Sequence, residues 1–507
     1  MSFFSSPSVT WSLVVLLLTL LIVYGIWPYR FFKNLGIPGP RPFPIVGTTR
    51  LYAKGIQRFD MDCFKEYGKV WGIFDGRLPT LMVADTEMIK TIMVKECYTC
   101  FTNRRESNTD LSGPLADGIM NVKDEVWRRI RSTISPLFTS GQLKQIFPVV
   151  EQYANRLIDH LRKRDLTKPV QIKEVFGPYS MDVITSASFS VDIDSINNPQ
   201  DPFVSHLKDF LQLTFSSPVF LMSIFFPFST KIFRKLGIMM FPKRATDFLY
   251  TFLRKIKDQR QNEKNGRVDF LQLMIQGQIP DDKAEETSGD QTAKGLTDHE
   301  ILSQSFIFIL GGYDTTSTTL TFLMYNLATN PDALRKLVEE IDMAFPNNAP
   351  VTYEKLMDLE YLDMVMNESQ RLLPTAGRAE RVCKKTVEVN GVTIPKDTLV
   401  GIPTYVLHRD PQHWTSPEEF RPERFSKENK GDINPYAFLP FGLGPRNCVG
   451  MRFALLVMKT IVVKLFQNFH LETCKETQIP IQINPMGLPK TPVILKLVPR
   501  SSGKMEE

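Results

Sequence analysis

The sequence contains only six cysteines in 507 residues, and their spacing matches no disulfide framework. This scarcity argues against a small secreted domain held together by disulfides. Cys97 and Cys100 form one C-x-x-C pair, but no second ligand pair and no histidine is placed to complete a zinc site, so we interpret the pair as incidental. The net charge is only +6 without a compact basic run, which argues against a nucleic-acid-binding protein.

Charged side chains are also absent from the first 29 residues, and the stretch from Val9 to Tyr29 is apolar with aromatic ends. About 20 apolar residues can cross a bilayer, and the lack of a basic start disfavours a cleaved signal peptide. Arg30 and Lys33 follow at once, and the positive-inside rule then places the rest of the chain in the cytosol. We therefore predict an N-terminal membrane anchor over residues 1–29, a basic, proline-rich connector over residues 30–44 and one large domain over residues 45–507.

Helical periodicity dominates the large domain. It predicts helices over Leu143–Leu161, Phe248–Ile275, Ile301–Ala328 and Met451–Phe466. Shorter runs typical of strands occur at Val70–Phe74, Thr80–Val83, Thr386–Ile394 and Val493–Val498, and the polar stretch Asp281–Gly295 is predicted as a loop. Neither an internal repeat nor a β-α-β pattern is found, so we predict a mainly α fold with small β-sheets in a single domain.

Three glycines, a proline and an arginine surround one cysteine in the segment from Phe441 to Gly450. Glycine and proline make tight turns that bring the backbone close to a flat cofactor. Cys448 precedes a predicted helix, whose first N–H groups lower the pKa of a thiol and donate hydrogen bonds to its sulfur. The alternative is a buried structural cysteine in a turn.

The longest predicted helix carries Gly311 and Gly312 side by side in its middle, followed by Asp314 and Thr315. Adjacent glycines cost helix stability, so their presence needs a reason. One reason is open space beside the helix for a small ligand, and the alternative is close packing against a crossing helix. A mid-helix threonine hydroxyl can also bond to the carbonyl four residues earlier and loosen the helix.

These segments resemble the motifs of the cytochromes P450. The segment from Phe441 reads F-x-x-G-x-R-x-C-x-G, the heme-binding signature of that family. In family order, Trp127 to Arg131 matches W-x-x-x-R, Gly311 to Thr316 matches the oxygen-activation stretch, Glu368 to Arg371 matches E-x-x-R and Pro422 to Phe425 matches P-E-R-F. The resemblance implies a cytochrome P450 fold with heme b and one axial thiolate, a ligand that favours O–O cleavage.

The resemblance assigns roles to individual residues. It makes Cys448 the axial ligand of the heme iron, shielded by Phe441. The residues expected to face the heme propionates are Trp127, Arg104, Arg131, Arg381 and Arg446. Gly311 and Gly312 would leave room for dioxygen, Asp314 and Thr315 would deliver protons, and a structural charge triad would comprise Glu368, Arg371 and Arg424.

Longer stretches, among them Lys90–Tyr98, Tyr179–Thr185 and Arg381–Lys385, are similar to the vertebrate subfamily 3A, whose members oxidise large lipophilic steroids and xenobiotics. The resemblance indicates a substrate pocket lined by Ser107, Met120, Asn121, Phe215, Phe220, Ile307, Leu310, Ala376, Gly377 and Leu488. A phenylalanine cluster is expected in the pocket roof, at positions 203, 210, 215, 220, 225, 226, 228 and 241. The segment Glu106–Asn121 diverges from those relatives, which predicts a pocket of different shape.

The resulting hypothesis is a membrane-bound monooxygenase that inserts one oxygen atom of O₂ into lipophilic substrates. Because the sequence has no flavin or nicotinamide fingerprint, NADPH would be oxidised by a separate NADPH–cytochrome P450 reductase, with cytochrome b5 as a second partner. The resemblance puts their docking site near Arg128, Arg129 and Arg452, although the residues alone favour an ordinary surface helix for Arg128 and Arg129. It also implies a single-pass endoplasmic reticulum protein with a cytosolic catalytic domain. Two alternatives remain open, a reductase-independent heme-thiolate isomerase or dehydratase, and a non-enzymatic binder of heme or lipophiles.

Overall fold

The computed structural model describes residues 7–105, 111–211, 218–226, 228–262, 268–281, 283, 294–484 and 487–500. The α-helices are α1 (Pro7–Ile26), α2 (Phe31–Asn34), α3 (Ile56–Tyr67), α4 (Thr86–Lys90), α5 (Asp124–Ile134), α6 (Ser140–Lys163), α7 (Ile172–Phe189), α8 (Pro202–Leu211), α9 (Pro218–Phe225), α10 (Ser229–Lys235), α11 (Lys243–Asn262), α12 (Phe270–Gln276), α13 (Asp298–Ala328), α14 (Pro331–Ala344), α15 (Tyr353–Met357), α16 (Glu360–Leu372), α17 (Thr404–Leu407) and α18 (Met451–Asn468). The strands are β1 (Val70–Asp75), β2 (Leu78–Val83), β3 (Val170–Gln171), β4 (Ala379–Val382), β5 (Val387–Val389), β6 (Val392–Ile394), β7 (Leu399–Ile402), β8 (Phe469–Glu472) and β9 (Ile494–Pro499). The predicted mainly α fold with small sheets is confirmed.

The helix predicted over residues 248–275 is wrong in one respect, because two helices, α11 and α12, occupy that range. Asp269 ends the intervening stretch by capping α12, since its side chain accepts a hydrogen bond from the backbone N–H of Gln272 at 2.8 Å. Most of the predicted loop Asp281–Gly295 lies outside the described residues.

The largest sheet has the strand order β1-β2-β7-β4. A tight turn at Gly76, with a φ of 61°, joins β1 to β2, and their antiparallel register places Trp71 opposite Met82. Strand β7 then runs parallel to β2, while β4 is antiparallel to β7 and places Arg381 opposite Val400. Side chains from both faces of this sheet, together with residues of α3 and α4, form an apolar core separate from the larger helical core.

Helix α13, with 31 residues, is the longest of the described helices and passes through the large core. A capping box begins it, since the Thr297 hydroxyl accepts from the backbone N–H of Glu300 while the Glu300 carboxylate accepts from that of Thr297. Helix α7 packs along its middle, and Phe306 and Leu320 are buried within the core. A side chain on an exposed face of α13 must therefore face a cleft inside the protein.

At the N-terminus, one segment, Val9–Asn34, is long and apolar enough to cross a membrane among the residues that the structure describes. The connector after it is not a free spacer. Phe32 is buried against Phe74 with 5.2 Å between ring centroids, and the backbone N–H of Gly72 donates to the carbonyl of Pro38 at 2.8 Å. The connector thus packs on β1, so the folded unit extends further toward the anchor than the predicted boundary at residue 45.

Candidate functional site

The segment 441–450, here called the cysteine loop, adopts the tight turns that its glycines predict. Gly442 and Gly444 have φ angles of 74° and 69°, and a Cβ atom on Gly444 would lie 1.9 Å from the carbonyl oxygen of Met93. Only glycine fits there. The backbone N–H of Cys448 donates to the carbonyl of Phe441 at 2.9 Å, which closes the loop immediately before α18.

The thiol of Cys448 is exposed, yet the protein around it desolvates it. Desolvation by the surrounding protein raises its pKa above the ordinary value, and a hydrogen bond from the backbone of Gly450 and the charges of Arg131 and Arg104 lower it. An accessible thiol that is strongly desolvated faces an internal cleft. Gly450, Arg131 and Arg104 offset part of this desolvation in favour of the thiolate, the form that ligates a metal.

Two arginines hold the cysteine loop by its carbonyls. Arg131 donates from Nη1 to the carbonyl of Asn447 at 2.9 Å and from Nη2 to its side-chain oxygen at 2.8 Å. Arg104 donates to the carbonyl of Arg446 at 3.0 Å. Arg446 donates to the carbonyl of Thr102 at 2.9 Å, and its guanidinium lies 4.7 Å from the centre of the Trp127 ring. Trp127 is buried, and its ring packs against the guanidinium of Arg446.

These arginines repel one another. Burial lowers the pKa of Arg446 to about 9, with Arg104 and Arg381 as further causes, and burial together with Arg104 lowers that of Arg381 to about 10. Nε of Arg381 is buried without a hydrogen-bond partner. Among the ion pairs of the described residues none involves Arg104, Arg131, Arg381 or Arg446. Unpaired buried cations are costly, so the cluster calls for a ligand with two carboxylates. Heme, whose two propionates are carboxylates and whose iron accepts a thiolate, fits these residues.

Helix α13 faces a cleft along one stripe. Gly311 and Thr315 are exposed and Ile307, Leu310 and Thr319 are half-buried, while most other positions between residues 301 and 327 are buried. Ile307, Gly311, Thr315 and Thr319 repeat every four positions, as expected for one helix face, and Leu310 lies next to this row. The hydroxyl of Thr315 donates to the carbonyl of Gly311 at 2.5 Å, which is the predicted bond four residues back.

The segment 111–122 joins this helix to the arginine cluster. The backbone N–H of Ile119 donates to the side chain of Gln304 at 2.7 Å, and Ser303 donates to the carbonyl of Pro114 at 2.6 Å. From the other side, Arg446 donates to the carbonyl of Val122 at 2.5 Å. The segment therefore closes one side of the space between α13 and the cysteine loop.

The two adjacent glycines serve different purposes. A Cβ atom on Gly311 would meet nothing within 4 Å, which fits open space at the cleft. A Cβ atom on Gly312 would lie 2.6 Å from Cγ1 of Ile184 on α7, which fits close helix packing. Open space therefore lies beside Gly311, and close helix packing surrounds Gly312.

Comparison with known proteins decides what this arrangement is. The sequence profile described as Cytochrome P450 matches residues 37–497. The chain belongs to the cytochrome P450 family. It is 54% identical to Cytochrome P450 3A30 of Fundulus heteroclitus over 99% of this chain and 100% of that protein. It is also 53% identical to Cytochrome P450 3A27 of Oncorhynchus mykiss (97% and 95%) and 52% identical to Cytochrome P450 3A2 of Rattus norvegicus (97% and 97%).

These relatives confirm the predicted class. The protein is a heme-containing P450 monooxygenase of the 3A type, a group that oxidises steroids and xenobiotics. The profile match begins at residue 37, inside the predicted connector, in agreement with the packing of that connector on β1.

In the predicted charge triad of this P450, Glu368 and Arg371 have no access to solvent and Arg424 is half-buried. Arg371 donates to both carboxylate oxygens of Glu368 at 2.7 and 2.8 Å, and Arg424 donates to Glu368 at 3.2 Å. Arg371 also donates to the carbonyls of His408 and Pro417 at 2.8 and 2.7 Å. Such a satisfied buried network fixes the meander between α17 and the cysteine loop.

The structure brings only part of the predicted substrate pocket together. Ile307 and Leu310 lie on the α13 stripe, Ala376 and Met120 are exposed, and Leu488 is half-buried. Gly377 lies against the side chain of Gln57, 3.6 Å from the position of a Cβ atom, and Asn121 donates to the carbonyl of Leu115 at 2.7 Å. Ser107, Phe215 and the side chain of Phe220 lie outside the described residues.

Two sequence interpretations need correction. Arg129 is buried and bonded to Glu300 at 2.5 Å, so it is neither a surface residue nor a docking residue. Phe203 and Phe210 belong to the core, because Phe210 stacks on Phe241 at 4.4 Å and Phe203 packs against Phe252 at 4.9 Å. Of the predicted roof, Phe225 and Phe226 are half-buried and Phe228 is exposed.

Three residues of the site were missed by the sequence analysis. Lys173 donates to the carboxylate of Asp314 at 2.7 Å, and the hydroxyls of Thr319 and Thr375 lie 2.8 Å apart. Of these three residues, Thr319 could have been predicted, because it follows Gly311 and Thr315 at the four-residue interval of the stripe.

Proposed function

We propose that this P450 oxidises lipophilic substrates in the cleft between α13 and the cysteine loop, with Cys448 as the axial ligand of the heme. The observation that carries the proposal is the accessible, desolvated thiol of Cys448 beside buried arginines that have no carboxylate partner. Arg104, Arg131, Arg381 and Arg446 would hold the two propionates. When bound, the heme supplies the activation of dioxygen at its iron.

The protein's own residues then have distinct tasks. The backbone of Gly450 and the charges of Arg131 and Arg104 stabilise the thiolate of Cys448. On α13, Gly311 leaves space beside the helix, and Thr315 holds its hydroxyl against the carbonyl of Gly311. The hydroxyl of Thr315 and the carboxylate of Asp314 carry protons from solvent to the cleft. The segment 111–122 and the apolar side chains of Ile307 and Leu310 exclude water from the bound substrate.

The absorption difference spectrum of the reduced protein with and without CO tests the ligand. A thiolate-ligated heme gives a strongly red-shifted Soret band. Cys448→His should lose this band and all hydroxylation, whereas the control Cys474→Ser, at a half-buried thiol bonded to Thr477, should keep both. Hydroxylation that survived in Cys448→His would contradict the role of the thiolate.

We also propose a single-pass endoplasmic reticulum location with a cytosolic catalytic domain. The apolar segment Val9–Asn34 and the basic residues Arg30 and Lys33 support this orientation. Digestion of intact microsomes with a protease added from outside should degrade the catalytic domain. Protection of that domain would reverse the proposed orientation.

Electrons would come from NADPH–cytochrome P450 reductase, with cytochrome b5 as a second donor. Because Arg129 is buried, the exposed Arg452 next to the cysteine loop is the best docking residue, together with the half-buried Arg128. Arg452→Glu should raise the reductase concentration needed for half-maximal turnover, most strongly at low salt, because screening weakens such contacts. The same charge reversal at Arg335, an exposed residue on α14, serves as the control.

A further inference from the structure

We propose that the hydroxyls of Thr319 and Thr375 form a polar anchor in the wall of the cleft that binds the hydroxyl group of an otherwise apolar substrate. The anchor rests on the proposed substrate cleft and adds a selectivity to it. It favours molecules that donate a hydrogen bond over ketones and hydrocarbons of the same shape.

Thr319 and Thr375 both lie at the edge of the cleft. Thr319 continues the stripe of Gly311 and Thr315 one turn further along α13, and it is half-buried while its neighbours Thr318 and Leu320 are buried. Thr375 follows α16 and directly precedes the exposed Ala376. Both hydroxyls therefore lie at the edge of the same open space rather than inside the core.

The hydrogen bonds of the two hydroxyls leave one acceptor free. Each threonine hydroxyl has one hydrogen to donate and two lone pairs to accept. Thr319 donates its hydrogen to the carbonyl of Thr315 at 2.8 Å, so across the 2.8 Å contact between the two hydroxyls Thr375 must be the donor. Within the described residues no other group bonds to the Thr375 hydroxyl. Its oxygen is left with free lone pairs, and the pair presents an acceptor to the cleft.

The surroundings turn this acceptor into a selective site. Ala376 follows Thr375 directly, and Ile307 and Leu310 lie further along α13, so a substrate hydroxyl that enters the cleft loses water and finds few other partners. A buried donor without a partner costs about 1–3 kcal/mol, whereas one that reaches Thr375 avoids this loss. A ketone cannot donate, and it could accept from the pair only if Thr375 gave up its bond to Thr319 or Thr319 gave up its bond to Thr315.

The anchor also sets the site of oxidation. Thr319 lies four residues from Thr315, which is about 6 Å along a helix. A substrate hydroxyl held by the pair is therefore kept at a fixed distance from the oxygen-handling part of α13. Carbons at that distance from the hydroxyl are presented for oxidation, and loss of the anchor lets the substrate shift.

Three steroid skeletons that differ in one group provide the test. They are 5α-androstan-17β-ol, 5α-androstan-17-one and 5α-androstane, which carry a hydroxyl, a ketone and no polar group. Their dissociation constants are measured from the heme absorption change on binding to the full-length holoenzyme. The wild type should bind the alcohol about tenfold more tightly than the other two, the ratio that about 1.4 kcal/mol produces.

Thr375→Val and Thr319→Val should remove this preference and broaden the positions oxidised in the alcohol, while Thr375→Ser should keep both. Thr318→Val is the matched control on the same helix, because its hydroxyl is buried and bonds to nothing, and it should behave as wild type. Equal binding of the three probes by a wild type that oxidises all of them overturns the anchor and leaves the proposed function standing. A preference that persists in Thr375→Val also overturns it. Failure of the wild type to bind or oxidise any probe would instead count against the proposed cleft, and the anchor with it.

Discussion

The ammonium group of Lys173 on α7 donates to the carboxylate of Asp314 on α13 at 2.7 Å. Both side chains are more than one third exposed, so solvent weakens the ion pair. Asp314 thus points toward α7, whereas Thr315, the next residue, faces the cleft. To pass a proton to Thr315, the carboxylate must first leave Lys173.

Because an exposed ion pair is worth at most about 1 kcal/mol, its loss should change the rate only modestly. We expect Lys173→Met to raise turnover by up to about fivefold, and Asp314→Asn to lower it by about two orders of magnitude, as expected for loss of an acid–base group. Product formation and NADPH consumption are measured in the same assay. A fall in Lys173→Met as deep as that in Asp314→Asn would mean that the ion pair is required for proton delivery.

The arginine cluster predicts opposite effects of one substitution with and without heme. Arg381→Met removes a buried, partly unbonded cation, so the heme-free protein should become more stable toward denaturant. In the holoenzyme the same change removes a partner of a propionate, and transfer of heme to apomyoglobin should become at least about tenfold faster. If heme transfer is unchanged in Arg381→Met, this arginine does not hold the heme.

Glu368 and Glu360 lie on the same helix, α16, in opposite environments. Glu368→Gln leaves Arg371 buried without a carboxylate, which should cost about 3–5 kcal/mol and reduce the yield of folded heme protein. Glu360→Gln breaks only an exposed pair with Lys427 and should cost less than about 1 kcal/mol. Denaturant titrations of both holoenzymes, followed by heme absorbance, give the comparison, and equal losses would contradict a special role for the triad.

The segment 111–122 should loosen as the pH rises. A hydrogen bond to Asp117 raises the pKa of His299 above 6.5, and the charges of Asp281 and Asp298 add to this effect while burial opposes it. A raised histidine pKa means that the contact contributes its full stability below pH 6.5 and loses it as the pH passes through the folded value. Hydrogen exchange of residues 111–122, corrected for the intrinsic rate, should therefore speed up above neutral pH. His299→Gln should show no such pH dependence. If exchange in the wild type were equally independent of pH, the contact between His299 and Asp117 would have no such role.

What the sequence could predict follows from how local each feature is. The cysteine loop is a contiguous segment in which every residue type has its own reason, so its turns and its helix were predictable. Contacts between distant segments were not. Arg129 looks like a surface residue until Glu300, 171 positions later, pairs with it, and 56 residues separate Thr319 from Thr375. The different surroundings of Gly311 and Gly312 likewise depend on the position of Ile184, which packs against only the second of them.

The last turn of α1 is bonded to the folded domain rather than tethered to it. Arg77, in the turn between β1 and β2, lies over the ring of Tyr24 at 3.4 Å, and the backbone N–H of Ile45 donates to the carbonyl of Gly25 at 3.2 Å. A helix that is too long or too short for a bilayer adjusts its tilt. Because this helix and the domain would tilt together, the thickness of the bilayer would determine the orientation of the domain. Bilayers of different acyl length should therefore present the cleft to the lipid phase at different angles.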